Sequence, residues 1–290
     1  MLYFSLEFKK SEIIYTSLSS VNHIEFDQFR NDGSLLIAEE TQLLNVADGK
    51  VTEIVASGFR YITDFRQLNT SSVVVVDQSD HCLKVFNREE KITKVFAGLC
   101  GSSGFVDGSS DRFRWPQNIE FDEKNPERLL ITEPSSHALR SVDVTNGIVS
   151  TIISTGFRSS AGLAWYNGRL LVSNNGYISE VVWHPNGAVT IDMLTGSFYT
   201  GYRDGDFSIA KFTYLAEITQ IIPEYFLIAD RTNYKLRLLD MAKRKVLPVC
   251  HASAASCTGG TAVVSRPTSL LISNGTVYVG GSGKIVKLTG

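Results

Sequence analysis

Three arginines occupy the same place in three segments of this 290-residue chain. Arg60, Arg114 and Arg158 each lie five residues before an apolar position of a strand-like segment. A guanidinium group holds a carboxylate or a sulfate through paired hydrogen bonds. If the three segments are equivalent parts of one fold, the arginines form a basic arc for an anionic group. The plainer alternative is that each arginine forms an ion pair with an acid of a neighbouring segment.

Four aromatic residues lie close in sequence to these arginines or to Thr213, which takes the same offset in another repeat: Tyr61, Trp115, Tyr202 and Tyr214. Tyr and Trp supply much of the contact energy at binding surfaces. We therefore predict a ligand-binding surface made of the three arginines and the four aromatic residues. We expect its ligand to be a protein, a peptide or an anionic glycan.

Four acids recur at the ends of strand-like runs, at Glu39, Asp77, Glu133 and Asp230. A ring of carboxylates is a possible calcium site. The simpler expectation is that each carboxylate accepts backbone N–H groups in its own turn. No catalytic Ser/His/Asp or Cys/His set and no phosphate-binding motif is legible. We predict no catalytic residue, no metal ligand and no cofactor.

Composition excludes several classes of protein. The net charge is −2, which argues against a nucleic-acid partner. No apolar run approaches the ~18 residues of a transmembrane helix, and the first residues alternate apolar and polar as in a strand. The hydrophobic content of 43% supports a sizeable core. A chain of this length fits one large all-β domain, and we expect a single domain over residues 1–290.

The chain repeats. Six β-rich runs can be aligned on Glu39, Asp77, Glu133, Asn174, Asp230 and Gly281, at spacings of 38 to 56 residues. Most runs follow one apolar stretch and precede two more, which makes four strands per unit, the period of a propeller blade. The segment "SEIIYTS" at 11–17 is expected to complete the last blade, because an open blade would leave an unpaired edge. The sequence thus predicts an all-β fold, a six-bladed propeller of four-stranded blades.

Two loops rich in glycine, "AGLCGSSGFVDG" and "LTGSFYTGYRDG", interrupt this pattern. In each loop an Asp-Gly pair marks a turn with positive φ. We expect these loops to link an outer strand to the next inner strand, and a direct contact with ligand is the alternative.

The repeats resemble the NHL-repeat family. The matching stretches are "VVDQSDHCLK", "ITEPSSHALR" and "IADRTNYKLR", together with the two glycine loops. The resemblance implies a six-bladed β-propeller, and it places His81 and His137 at a turn-stabilising position. A zinc lyase on a similar propeller needs several histidines at the channel, whereas this chain has five in total, at 23, 81, 137, 184 and 251. The function of the family is diverse, so the fold alone does not define the ligand.

The cysteines and two glycosylation sequons bear on the compartment. Four cysteines allow three pairings, of which the local one, Cys82–Cys100 with Cys250–Cys257, is favoured, and four free thiols are the alternative. Asn69 and Asn274 begin Asn-x-Thr/Ser triplets. Disulfides persist outside the cytosol. These features favour an extracellular domain or ectodomain, although no signal peptide is visible, and a cytoplasmic protein is the alternative.

Together these patterns predict a non-catalytic binding propeller that recognises its partner through one face. The alternative is a metal-dependent lyase or lactonase with its site in the central channel. Convergence of three or more His, Asp or Glu side chains on the axis would favour that enzyme.

Overall fold

The computed structural model describes residues 7–157, 159, 161–251 and 264–290. The regular secondary structure of these residues is β-strand, apart from two single-turn 3-10 helices at Gln78–Asp80 and Pro134–Ser136. Within the same ranges, no helix is long and apolar enough to cross a membrane. The all-β prediction is confirmed.

The strands are numbered in chain order. The first five are β1 (Glu7–Phe8), β2 (Lys10–Phe26), β3 (Leu35–Glu39), β4 (Gln42–Ala47) and β5 (Lys50–Ser57). Next come β6 (Ile62–Gln67), β7 (Ser72–Asp77), β8 (Cys82–Asn87) and β9 (Ile92–Ala97). They are followed by β10 (Ile119–Asp122), β11 (Asn125–Glu133), β12 (Ala138–Asp143) and β13 (Val149–Ile153).

The second half of the chain has the same succession of short strands. It contains β14 (Leu163–Tyr166), β15 (Arg169–Ser173), β16 (Tyr177–Trp183) and β17 (Val189–Gly196). The next strands are β18 (Gly205–Asp206), β19 (Leu215–Ile222), β20 (Tyr225–Asp230), β21 (Lys235–Asp240) and β22 (Lys245–Pro248). The last are β23 (Cys250–His251), β24 (Ser269–Ser273) and β25 (Thr276–Thr289).

In the described ranges these strands form five blades, beside a two-residue parallel ladder of β1 with β23. Three blades have four antiparallel strands each, β6 to β9, β10 to β13 and β14 to β17. The fourth blade contains β19 to β22 and adds β18 beside β22. The fifth has six strands in the order β24, β25, β2, β3, β4, β5. The fold is a five-bladed propeller.

The prediction of six blades is therefore wrong. The segment at 11–17 and residues 24–26 of the segment at 24–27, expected to belong to the last and the first blade, lie in one strand, β2. The first part of β2 pairs with β25 and the second part, Val21 to Phe26, pairs with β3. Because one strand pairs with β25 through its first part and with β3 through its second part, the two expected blades form one six-stranded sheet.

The innermost strands surround a common axis. Strands β6, β10, β14 and β19 each contribute one segment, and the six-stranded blade contributes two, β24 and the second part of β2. We call the face on which these segments begin the upper face and the face on which they end the lower face. The loops before the inner strands and the turns between second and third strands share the upper face, as the bond from Gln78 N to Tyr61 O shows (2.9 Å).

The core lies between adjacent blades. The second strand of a blade is covered on both sides, so its sequence is a continuous apolar run rather than an alternating one. Val73, Val74, Val75 and Val76 of β7 are all fully buried for this reason. Burial of each such side chain stabilises the fold by about 1.5–3 kcal/mol.

The glycine loops are attached to their blades by buried arginines. Arg140 donates to Glu133 Oε2 and to Asp107 Oδ1 (both 2.7 Å), and its guanidinium lies over the rings of Phe105 and Phe113. Gly108, which follows Asp107, has φ +91° and donates to Val149 O. These contacts support the structural role expected for the first loop.

The second loop repeats this arrangement. Arg237 pairs with Asp230 and Asp204 and stacks on Tyr202 and Phe212. Each loop also closes on itself through an antiparallel bridge, Val106 with Arg112 and Arg203 with Lys211.

Candidate functional site

The channel side chains come from inner strands that carry β-bulges. The pairing registers shift between Val21 and His23, between Ile62 and Asp64, and between Leu215 and Ile218. A bulge turns two successive residues toward one side of a strand. At each of these places one residue lines the upper mouth and the next lies deeper, in the pairs Asn22 and His23, Thr63 and Asp64, and Ala216 and Glu217.

The upper mouth of the channel is a cavity of about 160 Å³. Its lining is uncharged and polar apart from one arginine and two alanines, and consists of Asn22, Tyr61, Thr63, Gln78, Gln117, Asn118, Ala161, Ala216, Arg231 and Thr268. Two side chains connect neighbouring inner strands, since Asn22 Nδ2 donates to Ile62 O (2.7 Å) and Thr63 Oγ1 donates to Gln117 O (2.6 Å). Asn118 Oδ1 is buried and accepts no hydrogen bond from the described residues. The mouth thus offers hydrogen-bonding groups and one cation to a polar ligand.

A second cavity of about 230 Å³ adjoins the mouth and shares Gln78 and Gln117 with it. Trp115 and Tyr214, both about half exposed, line this cavity together with Pro134, Ser135 and Ser159. Trp115 has φ +55° and packs edge-on against His81, with ring centroids 4.8 Å apart. The indole is therefore held in place at the surface.

The structure brings together part of the binding surface that the sequence predicts. Tyr61, Trp115 and Tyr214 line the two adjoining cavities. Tyr202 lines neither of them; its hydroxyl donates to Asp204 and its ring lies against Arg237. Arg158 lies outside the described residues, so its place is an expectation only.

The other two predicted arginines are on the upper face. Arg60 remains 64% exposed at its side chain although its Nε lies 3.0 Å from Asp80 Oδ1. Arg114 is exposed, and its backbone N donates to Glu133 Oε1. Arg60 thus pairs with an acid of its own blade, not with one of a neighbouring blade as the plainer alternative required, and it still presents most of its surface to solvent.

The recurring acids fix the loops that lead into the inner strands. Asp77 accepts from the backbone N–H groups of Arg60 and Tyr61, and Asp230 accepts from that of Thr213. These two carboxylates therefore bind the backbone of the loop before the inner strand of their blade rather than the backbone of their own turn, although Asp230 also accepts from the side chain of Asn233 in its turn. They do not form a ring around the axis.

The side chains of His81 and His137 connect the turns in which they lie to the loop that leads into the next blade. Both have positive φ, His81 Nδ1 accepts from Trp115 N, and His137 Nδ1 bonds Phe157 O. His184 bonds Thr190 at the surface. Among the described histidine side chains, only His23 lies in the channel.

A buried charge cluster closes the channel below the mouth. Arg66 lies at its centre and donates to Asp64 Oδ1 (2.9 Å) and Glu120 Oε2 (3.0 Å). His23 Nδ1 lies 3.0 Å from the same Asp64 oxygen. His23 Nε2 lies between Arg66 Nη1 at 2.9 Å and Glu25 Oε1 at 3.6 Å. A neutral ring accepts from Arg66 there, and a protonated ring donates to Glu25.

Burial and charge shift the pKa values of this cluster. Burial lowers the pKa of His23, but the negative charges of Asp64 and Glu25 outweigh it, so the pKa lies above the usual histidine value. Burial, supported by the charges of Asp64 and Glu120, raises the pKa of Glu217 to about 8. Glu217 therefore carries a proton at neutral pH. Strongly shifted pKa values of this kind mark candidate functional sites.

The third channel cavity, of about 320 Å³, lies below the cluster toward the lower face. Its charged and titratable lining comprises His23, Arg66, Glu120 and Glu217, and its apolar lining includes Leu163, Trp165 and Leu270. Trp165 is fixed by stacking on Trp183 and by the bond from its Nε1 to Phe121 O (2.8 Å). We call this space the lower cavity.

The donor set does not fit a metal ion at the axis. Both oxygens of Asp64 already accept hydrogen bonds, Oδ1 from Arg66 and Oδ2 from Ile119 N. The guanidinium of Arg66 lies among the acids where a cation would be held. In the described ranges, the one group of three ligand atoms close enough for a metal is Asp80 with Cys82 and Cys100. The two sulfurs of that group are joined in a disulfide, so they are not thiolate ligands.

This disulfide confirms the predicted Cys82–Cys100 pair, whose Cα atoms are 5.1 Å apart. The predicted Cys250–Cys257 pair lies outside the side chains that the structure describes. Asn69 is exposed in the turn between β6 and β7, and Asn274 in the turn between β24 and β25. Both sequons therefore lie on the lower face.

The sequence-based prediction missed the charge cluster. Its members are His23, Glu25, Asp64, Arg66, Glu120 and Glu217. The signal was present as charged residues inside the inner strands, in "NHIEFD", "TDFRQ", "NIEF" and "AEITQ". Charged residues in a strand nearest the axis face the channel rather than solvent.

Comparison with known proteins identifies the fold. No protein-family model matches the chain, and no curated protein sequence matches it. An auxiliary nutrient binding protein from Bacteroides ovatus has a similar structure, with a TM-score of 0.75 and 14% identity over 99% of this chain and 76% of that one. A gluconolactonase from Xanthomonas campestris has a TM-score of 0.65 and 9% identity over 96% and 89% of the two chains. Virginiamycin B lyase from Staphylococcus aureus has a TM-score of 0.60 and 13% identity over 97% and 98%. The similarity supports the β-propeller fold.

Proposed function

We propose that this chain is a ligand-binding β-propeller of NHL type that recognises its partner through the upper face. The observation that carries the proposal is the pair of adjoining cavities at the upper mouth, one lined by amides and hydroxyls and the other by Trp115 and Tyr214. Ligand sites combine apolar and aromatic surface with a few fixed polar groups in this way. A structural neighbour described as a nutrient binding protein is consistent with a binding role.

The proposed ligand is an acidic glycan or an acidic peptide. Arg231 lines the mouth, and Arg60 and Arg114 are exposed on the same face. If Arg158 takes the equivalent place in the next blade, the basic arc is complete. Arginine holds carboxylates through paired hydrogen bonds, and the aromatic rings provide contact area for a sugar or a side chain.

We further propose an extracellular setting and a single domain over residues 1–290. The Cys82–Cys100 disulfide supports an oxidising compartment. Glycans on Asn69 and Asn274 would project from the lower face and would leave the upper mouth open.

The test is a screen of the purified chain against panels of acidic glycans and acidic peptides. Trp115→Ala together with Tyr214→Ala should weaken binding of any ligand found by at least ~10-fold, as loss of central aromatic contacts does. Neutralising Arg60, Arg114 and Arg158 together should also weaken it. Tyr199→Ala is the matched control, since Tyr199 is exposed but lines neither cavity. Unchanged binding in both sets of variants would refute the proposal.

A lactonase or lyase is the second candidate, favoured by the convergence of His23, Asp64 and Glu217 in the channel and by the raised pKa of Glu217. A carboxylic acid that stays protonated at neutral pH is suited to general-acid chemistry. The test is hydrolysis of a sugar lactone with and without added divalent cations, compared with Glu217→Gln. Activity that this substitution abolishes would support the enzyme.

A further inference from the structure

The lower cavity contains an acid that the fold does not use. Glu217 is 6% exposed, and no described residue donates a hydrogen bond to its carboxyl group. Its nearest charged neighbour is His23, whose Nδ1 lies 3.9 Å from Glu217 Oε2. Buried polar groups normally have partners, and one without a partner at a cavity wall points to a ligand.

The charge around Glu217 favours a cation. The ionisable groups that face it are His23 and Glu25 of β2, Asp64 and Arg66 of β6, and Glu120 of β10. Three of them are acids and one is a permanent cation. The cluster therefore keeps an excess of negative charge even when His23 is protonated and Glu217 is neutral.

Apolar residues flank Glu217 in the lower cavity, because β14 and β24 both lie next to its strand β19. Leu163 of β14 and Leu270 of β24 line the cavity, and the indole of Trp165 is held against Trp183. A cavity of about 320 Å³ in which apolar surface lies beside an acid suits a small amphiphilic molecule.

We propose that the lower cavity binds a small organic ammonium ion, whose charged group pairs with Glu217 while its carbon chain lies against Trp165 and Leu270. This site is separate from the upper mouth, because the Arg66 cluster lies between the two cavities. An ammonium donor supplies the hydrogen bonds that the Glu217 carboxylate lacks, and the low dielectric of the channel strengthens the pair.

Binding should be linked to proton release. Glu217 must ionise to pair with an ammonium group, and its raised pKa means that it carries a proton at pH 7. Affinity for the ammonium ion should therefore rise by up to about 10-fold per pH unit as the pH increases toward 8, and one proton should leave per ligand bound. His23 also loses charge over part of this range, which acts in the same direction.

The experiment is isothermal titration of the full chain with n-butylammonium chloride, with n-butanol as the neutral isostere. Butylammonium should bind at least ~10-fold more tightly than butanol at pH 8. Butylammonium should also bind more weakly at pH 6 than at pH 8. Glu217→Gln should remove this preference, whereas Glu12→Gln, at an exposed acid that does not line the lower cavity, should keep it. Circular dichroism of each variant checks that it is folded.

Equal binding of both probes, or a preference that survives Glu217→Gln, would overturn the proposal. Trp115→Ala separates this proposal from that for the upper face. It should leave butylammonium binding unchanged, because Trp115 is in the upper cavity.

Discussion

Glu217 and His23 face each other inside the channel, with 3.9 Å between Oε2 and Nδ1, and no described residue donates a hydrogen bond to the Glu217 carboxyl. His23 has closer partners in Asp64 and Arg66, and its charge only partly offsets the effect of burial on Glu217. The acid is thus held in a buried position that does not favour its charge.

The first prediction concerns stability and pH. The pKa of Glu217 is about 8 in the folded chain and about 4.3 when unfolded, so the folded state retains a proton that the unfolded state loses over pH 4.5–8. Across that window Glu217 should make the free energy of unfolding fall as the pH rises, by up to about 1.4 kcal/mol per pH unit. Glu217→Gln, which stays neutral, should be more stable than the unmodified chain at pH 8 and nearly equal to it at pH 4.5.

Urea unfolding at pH 4.5, 6.5 and 8 measures this difference. A Glu217→Gln variant that loses stability at pH 8 would show that the carboxylate supports the fold. Glu12→Gln, at an exposed position, is the control and should show no such trend.

The second prediction concerns Arg66, which pairs with Asp64 and Glu120 at the centre of the cluster. Arg66→Met leaves buried acids without their cation and should cost about 3–5 kcal/mol of unfolding free energy. Millimolar Ca²⁺ should restore part of that loss, because the released carboxylates are then available as ligands. Calorimetry with and without Ca²⁺ should show a shift of the melting temperature for this variant and none for the unmodified chain.

Arg169→Met is the matched control, since Arg169 pairs with Glu180 on the surface and should matter by less than ~1 kcal/mol. If Ca²⁺ raises the melting temperature of the unmodified chain equally, Arg66 does not take the place of a metal ion. That result would favour the enzyme candidate.

The sequence predicts the strands well because the core imposes them. Val73 to Val76 are buried on both faces of their strand and must all be apolar, so the sequence alone predicts this strand. The number of blades could not be predicted in this way. Whether β2 is one strand or two depends on its pairing with the distant strand β25, and local sequence carries no record of that pairing.

The sequence predicts only part of the candidate site. Tyr61, Trp115 and Tyr214 could be found because each follows an aligned position of the repeat, Arg60, Arg114 or Thr213. The positions of Asp64 and Glu217 carry no common residue type in the other repeats. The two side chains face the same axis only because bulges turn them toward it. A bulge depends on the partner strand, so the channel cluster required the structure.

The third prediction concerns the disulfide. Cys82 is fully buried in β8 and is joined to Cys100 at a separation of 18 residues, where the first glycine loop begins. Replacing both cysteines by alanine should lower the free energy of unfolding by about 3 kcal/mol, because the disulfide no longer restricts residues 82–100 in the unfolded chain. Guanidinium unfolding measures the loss, and peptide mapping without reduction should recover the 82–100 pair from the unmodified chain. Recovery of free thiols at both positions would contradict the pairing.

The last prediction concerns the approach of β14 to β19, which positions Glu217. Gly162 N donates to Ala216 O, and a Cβ at position 162 would lie 2.5 Å from Ile218 N and 2.8 Å from Glu217 Cα. These are backbone atoms that cannot rotate aside, so Gly162→Ala should force the two strands apart and cost about 1–3 kcal/mol. The same shift should move the Glu217 carboxyl and weaken butylammonium binding. Gly201→Ala is the matched control, because its added Cβ would meet only the flexible side chain of Lys211, at 3.3 Å. Thermal unfolding and titration of both variants test the prediction, and equal behaviour of the two would show that the ring of inner strands adjusts freely around Glu217.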